Sequence, residues 1–163
     1  MKLESIKLKN FKAFKEAEIR DIPRMCVFVG ANGTGKSTIF SVFEFLKIAL
    51  TDDIHSALVF LGGSKGFDEA RSRNTDGPIE IELKFREADN KPLVTYYLAI
   101  NQRDGSPFVE KEVLRYRRGS KGKPWHFLDF ANGQGFAVTN EPDQVAREED
   151  LTREEQTLKS AET

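Results

Sequence analysis

The sequence predicts an α/β fold in which a strand, a glycine-rich loop and a helix lead into an antiparallel β-subdomain. Three observations predict it. Met25-Cys26-Val27-Phe28-Val29 is a continuous apolar run of strand length, followed at once by a glycine-rich turn and a helix-length segment from Lys36 to Leu50. Beyond it Ile79, Ile81, Leu83 and Phe85 alternate strictly with Glu80, Glu82, Lys84 and Arg86, the period of a strand with one wet face. The later apolar stretches are punctuated by Asp104-Gly105 and Asn132-Gly133, dipeptides suited to tight hairpin turns.

Taken in order, Ile6 and Leu8 alternate with Lys7 and Lys9, and Ala17 and Ile19 with Glu16, Glu18 and Arg20, which predicts two half-exposed strands. After Ile22-Pro23-Arg24 the run Met25 to Val29 suits a sheet centre buried on both faces, with Cys26 as a small buried hydrophobe. Along residues 36 to 50, Ile39, Val42, Phe43, Leu46 and Leu50 share a face, while Phe40, Phe45 and Ile48 make the rest largely apolar; this predicts a helix buried between layers. Asp53 to Leu61 reads as a short second helix, and Gly62-Gly63 and Gly66 as a loop. From Pro78 onward the strands Leu93 to Ile100 and Val109 to Tyr116, then Trp125 to Phe130 and Phe136 to Thr139, complete a β-meander. Residues 141 to 163 have few apolar side chains and a capping-box pattern from Thr152 to Glu155, so they can form helix but bury little. The expected organisation is one lobe over residues 1–140, with strands, loop and helices in 1–61 and the meander in 78–140. An acidic tail or linker follows in 141–163, and the chain reads as the front part of something longer.

With 163 residues, 39% of them hydrophobic and 31% charged, the chain has one domain's worth of core and too much apolar content for wholesale disorder. No run of about 18 apolar residues is present, and Met1-Lys2-Leu3-Glu4-Ser5 lacks the look of a signal peptide. The expectation is a soluble, cytoplasmic protein with no membrane partner. A single cysteine excludes an internal disulfide scaffold and a multi-cysteine zinc site. The net charge of −1 is unevenly spread: residues 1–50 carry 9 basic and 5 acidic groups, and residues 141–163 carry 3 and 8.

Gly30-Ala31-Asn32-Gly33-Thr34-Gly35-Lys36-Ser37 fits G-x-x-x-x-G-K-[ST], and it lies between the most apolar strand candidate and the best helix candidate. The glycines let the backbone turn where a Cβ would clash, so that successive N–H groups point into one concavity able to cradle phosphates. The start of the helix adds unpaired N–H groups and the positive end of its dipole. Lys36 is suited to reach the β- and γ-phosphates, the Ser37 hydroxyl to be a ligand of Mg²⁺, and Thr38 to help at the α-phosphate. ATP and Mg²⁺ are the expected cofactors.

Leu8-Lys9-Asn10-Phe11-Lys12-Ala13-Phe14, followed by Val27 to Thr38, resembles the opening of the RecF/SMC-like branch of ABC-type ATPases. Predicted AAA-domain ATPases related to the overcoming-lysogenization-defect nucleases open in the same way. The resemblance covers residues 1 to 50 closely and reaches about 140 in architecture. It implies an ABC-type head whose N-terminal lobe holds the phosphate loop and an antiparallel β-subdomain, with hydrolysis at a composite site completed by a C-terminal lobe and by head-to-head pairing of two copies. ATP in preference to GTP also rests on the resemblance, and no Asn-Lys-x-Asp for guanine is present. Lys12 matches the basic residue that in such heads approaches the nucleotide phosphates; read by itself, it is equally a solvated lysine at a strand end. The alternative is a nucleotide-switched DNA-binding module of a repair or phage-defence nuclease complex; a transporter ATPase subunit fits Asn10-Phe11-Lys12-Ala13-Phe14 less well.

No apolar run ends in the Asp-Glu pair that would hold Mg²⁺ and polarise water, so no catalytic residue is identified. Phe127-Leu128-Asp129-Phe130 reads as hairpin. Leu61-Gly62-Gly63-Ser64 echoes an ABC signature loop but comes far too early after the phosphate loop, and Gln134 and Gln144 have no context as a glutamine loop. His55 and His126 have no metal-ligand spacing around them. Arg115, Tyr116, Arg117, Arg118, Lys121, Lys123 and Trp125 interleave charge with aromatics in a way that suits DNA, although Gly119, Gly122 and Pro124 equally mark a solvated hairpin loop.

Overall fold

The computed structural model of the chain describes residues 1–117 and 123–138. Seven strands form one sheet, each antiparallel to its neighbours: β1 (Lys2–Phe11), β2 (Phe14–Ile19), β3 (Ile79–Arg86), β4 (Leu93–Arg103), β5 (Ser106–Arg117), β6 (Trp125–Ala131) and β7 (Gln134–Ala137), in the order β2-β1-β3-β4-β5-β6-β7. Between β2 and β3 the chain makes α1 (Lys36–Thr51), α2 (Ile54–Gly62), a single 3-10 turn (Gly63–Lys65) and the short α3 (Phe67–Ala70).

Register explains which face of the sheet the helices cover. Leu8 stands opposite Ile81, and Ile81 opposite Leu98, so one row of aliphatic side chains crosses three strands. Val42, Phe45 and Leu46 of α1, Ala57 and Leu58 of α2, and Phe67 and Ala70 of α3 pack on this face in one core with Ile6, Ile79 and Ile100. Phe11 and Phe45 meet edge to face at 6.2 Å between centroids, and each such buried side chain contributes about 1.5–3 kcal/mol. The opposite face carries polar cross-strand pairs, Lys9 with Glu80 at 2.8 Å and the Tyr97 hydroxyl donating to Glu80 at 3.0 Å.

The predicted hairpins are present. Asp104 and Gly105 have φ of 52° and 78°, and Asn132 and Gly133 have 51° and 80°, the pairs of left-handed residues that match the twist of a two-residue hairpin turn. The second helix begins where expected: Asp53 caps α2 by accepting from the Ser56 N–H at 2.8 Å and the Ser56 hydroxyl at 2.9 Å. Those two bonds, the backbone one foremost, hold its carboxyl below the usual range.

Two expectations are corrected. Met25 to Val29 forms no strand and pairs with none of the seven; Met25, Val27 and Val29 are 83%, 71% and 90% exposed, and Cys26 is exposed rather than buried. An apolar run becomes a central strand only where neighbours on both sides supply hydrogen bonds and cover its faces, and the edge strand that precedes it in the chain, β2, pairs with β1 alone. Ile22, whose N–H bonds to the Glu4 carbonyl at 3.0 Å, is the last residue before the run to be buried in the core. Helix α1 is not sandwiched either. Ile39, Val42, Phe45 and Leu46 are its buried residues, whereas Phe40, Phe43 and Leu50 are exposed. Residues 139–163, including the acidic tail and Gln144, and Arg118 and Lys121 of the basic stretch lie outside the described residues.

Candidate nucleotide-binding site

The loop from Gly30 to Gly35 runs directly into α1, with Gly35 as its N-cap at φ 91°. Gly33 has φ 85°, and open space surrounds the position a Cβ would take there. Both glycines occupy the left-handed region that side-chain-bearing residues adopt only with strain. Thr34 ties the loop to itself, its hydroxyl donating to the Ala31 carbonyl at 2.9 Å. The Thr38 N–H bonds to the Gly35 carbonyl at 3.0 Å, and Lys36 and Ser37 precede it in the first turn, where helix N–H groups lack intrahelical acceptors. That turn holds no acidic side chain, so nothing anionic competes for its dipole.

Lys36 folds back over the loop, its ammonium donating to the carbonyls of Gly30 and Ala31 at 2.6 Å each. The cation thus stands at the mouth of the glycine turn. Ser37 is exposed, and its hydroxyl has no partner among the described residues. The residues present suit a magnesium nucleotide: a concave backbone, a cation at its rim, a free hydroxyl of the hard-oxygen type that Mg²⁺ takes, and a bare helix start.

Beneath the loop lies a mainly apolar pocket of about 300 Å³, walled by Ile6, Leu8, Ala17 and Ile19 of the β1–β2 hairpin, with Phe14, Phe28 and Ile39. The hairpin therefore supports the loop from below. A Cβ at Gly35 would fall 2.5 Å from the Phe14 ring, so hairpin and loop are in van der Waals contact. Two residues away, Lys12 occupies the hairpin turn at φ 48°, and its N–H bonds to the Ala70 carbonyl at 2.7 Å. Its side chain lines a second, open cleft shared with Leu61, Gly62, Gly63 and Ser64 and with Arg71 and Arg73. Sequence reasoning missed the two arginines. They lie some sixty positions from Lys12, and no local period connects the segments.

The other sequence candidates are not gathered at the loop. Asp129 sits in the β6–β7 hairpin and pairs with His126 at 2.8 Å, with three strands between it and β1 in the sheet. Gln134 starts β7, and His55 is exposed in the first turn of α2. Among the described residues no group of three or more His, Cys, Asp or Glu is arranged to hold a metal, and no helix is long and apolar enough to cross a membrane.

A family model described as AAA ATPase domain matches residues 1–161. The DNA replication and repair protein RecF of Lactococcus lactis is 38% identical over 146 residues, which cover 85% of this chain and 40% of that protein. RecF of Lactobacillus johnsonii is 27% identical over 145 residues, 82% of this chain and 38% of that protein. The DNA double-strand break repair Rad50 ATPase of Pyrococcus abyssi is 33% identical over 91 residues, 56% of this chain and 10% of that protein. The chain thus spans about two fifths of the length of these RecF relatives.

Proposed function

The chain belongs to the AAA ATPase domain family, and from that premise we propose that it is the ATP-binding portion of an ABC-type ATPase of the RecF/SMC-like kind. The observation that carries this reading is the folded loop itself, a complete Gly30-to-Ser37 motif that caps α1 with the Lys36 ammonium at its rim. Backbone N–H groups from Ala31 to Thr38 would hold the phosphates. Lys36 would exchange its two carbonyl partners for β- and γ-phosphate oxygens, and Ser37 would be the protein's ligand to Mg²⁺. When bound, the ion would neutralise negative charge on the phosphates. Lys12, on the hairpin turn that abuts the loop through Phe14, would add a further positive charge on the phosphate side.

Hydrolysis in this reading belongs to the composite site of a complete head. A C-terminal lobe would add the carboxylates that this chain lacks, and a second head would close over the nucleotide. The exposed run Met25 to Val29 supports the first half of that reading. It is fully apolar, strand-length and unpaired in the described sheet, beside the bare Phe40 of α1, which is what the inner strand of a larger sheet looks like without its neighbours. Calorimetric titration of Mg-ATP into the chain and into Lys36→Ala tests nucleotide binding; equal affinities would refute it.

A further inference from the structure

Three polar residues are buried among the described ones, Asn10, Ser72 and Thr95. The Asn10 amide donates to the Asp76 and Pro78 carbonyls at 3.1 and 3.0 Å, and the Ser72 hydroxyl reaches the carbonyls of Lys12 at 2.9 Å and Phe14 at 2.6 Å. Thr95 is 8% exposed, and its hydroxyl makes no hydrogen bond to any described residue. A buried hydroxyl without a partner has lost its water and gained no bond in exchange, so it marks a place where something else binds.

Thr95 lies on the face of the sheet turned away from the helices, two residues before Tyr97, whose hydroxyl bonds to Glu80 there. Register sets Lys84 of β3 opposite it on one side and Arg115 of β5 on the other, and Arg117 opposite Leu93, one step along the same face. Directly opposed residues have Cβ atoms about 4.5–5.5 Å apart, so the three cations surround one hydroxyl. With Leu93 and Pro124 they line a pocket of about 290 Å³ that has no carboxylate in its wall among the described residues. Lys84 is shared with Glu82 at 3.0 Å, but Arg115 and Arg117 have no ionic partner among the described residues. Asp129, opposite Val113 on this face, is taken by His126 at 2.8 Å.

We propose that this pocket binds one phosphate group, as inorganic phosphate or as the terminal group of a small phosphate monoester, through the Thr95 hydroxyl and the Arg115 and Arg117 guanidinium groups. Guanidinium forks match phosphate oxygens two at a time, and the hydroxyl donates to a remaining oxygen. Lys84 adds a point charge. The glycine loop lies against Ile6 and Leu8 on the helix side of the sheet, so the two sites are separate. The volume suits a phosphate and a small group attached to it rather than a length of nucleic-acid backbone, and Thr95 is reached only by an atom that enters the pocket.

The test titrates sodium phosphate, and separately phenyl phosphate, into the isotope-labelled full chain carrying Lys36→Ala, with chloride at matched ionic strength as the blank. The amide signals of residues 95 and 115 should shift and saturate, with affinity weakened about 10-fold or more by Thr95→Val and by Arg117→Ala. Thr95→Val keeps the branched shape, and Arg117 is exposed, so neither change disturbs the core. Without anion, Thr95→Val should raise the unfolding midpoint by removing the unpaired hydroxyl; phosphate should then raise the parent's midpoint more than the variant's. Phosphate also stabilises proteins by exclusion from their surfaces, so the difference between parent and variant is the readout. Tighter binding of phenyl phosphate supports the site and assigns it to a monoester; equal or weaker binding supports it and assigns it to free phosphate. No saturable shift at residue 95, or affinity unchanged in both variants, would overturn the proposal, as would a response to a DNA duplex but to neither small anion. Because Lys36→Ala is present throughout the titrations, failure of the nucleotide reading leaves this result untouched.

Discussion

The Phe14 ring fills the space that a side chain at Gly35 would need: a Cβ there would lie 2.5 Å from its Cζ and 2.8 Å from its Cε1. The β1–β2 hairpin and the glycine loop therefore share one surface, and the hairpin sets how close to the sheet α1 can start. Gly33 and Gly35 have nearly the same φ, 85° and 91°, but nothing lies near a Cβ at Gly33. Gly33→Ala should cost only the backbone strain, about 1–3 kcal/mol, and Gly35→Ala should cost more. Adding Phe14→Ala to each should narrow the difference. Urea midpoints that are equal for the two single variants would show that the contact carries no energy.

Lys36→Ala should weaken Mg-ATP binding while leaving the fold in place, because the two bonds that its ammonium makes are to loop carbonyls that water can solvate instead. Loss of a charge-assisted phosphate contact is worth about 1.5–3 kcal/mol, roughly 10- to 150-fold in affinity. Calorimetry at fixed magnesium, with circular dichroism as the fold control, gives the comparison.

Ser72→Ala should destabilise the chain by about 1–3 kcal/mol, since it leaves the half-buried Lys12 and Phe14 carbonyls without the hydroxyl that joins them. It should also loosen the turn relative to the Arg71–Arg73 segment, which amide exchange at Lys12 reports because its N–H bonds to Ala70. Exchange and midpoint both unchanged would mean that the β1–β3 ladder alone fixes the turn.

What the sequence made legible is what local chemistry decides. Asp104-Gly105 and Asn132-Gly133 can adopt paired left-handed conformations, Asp53 can cap a helix, and Ile79 to Arg86 has one periodicity, so the hairpins, α2 and β3 followed from neighbours in the chain. Composition predicts burial for Met25 to Val29, yet burial is a property of what lies on either side, and the described sheet supplies no strand there. In α1 the helical period puts Phe43 on the packed face and Phe45 off it; the reverse holds, because Phe11 of β1 meets Phe45, a contact no helical period contains. The turn from Gly30 into α1 was legible because eight consecutive positions carry its pattern. Arg71 and Arg73 were not, because only tertiary contacts, the Ser72 hydrogen bonds, the Lys12 N–H bond to Ala70 and the bridge between Phe11 and Arg71, bring them to Lys12.

The chain alone should turn over ATP negligibly. No strand of the described sheet ends in an Asp-Glu pair at the glycine loop, and the nearest sequence candidate, Asp129, is engaged by His126 in a hairpin beyond β5. Binding and positioning by Lys36 and Ser37 do not replace the carboxylates that hold the metal and orient water. A steady rate near about 1 per second, in the ordinary range for enzymes, that disappears in Lys36→Ala would show that a catalytic acid lies within these residues.

The bare apolar surface makes the last prediction. Val27, Val29 and Phe40 are each more than half exposed, and Phe28 meets Phe40 edge to face at 5.9 Å, so the extended run and the outer side of α1 form a continuous greasy patch next to the glycine loop. Contiguous patches of this kind drive association unless something covers them, and an unpaired apolar run has free main-chain groups with which to recruit a second chain. The isolated chain should therefore self-associate as its concentration rises. Val27→Lys/Phe40→Ser should shift it toward monomer in sedimentation velocity without lowering its unfolding midpoint, because both side chains lie outside the Phe11, Phe45 and Leu58 core. Addition in trans of the C-terminal part of a RecF relative should produce the same shift and slow amide exchange in residues 25–50. A parent chain that stays monomeric, with slow exchange already present at Val27 and Val29, would mean that the run is covered without a partner and that the larger-sheet reading of Met25 to Val29 is wrong.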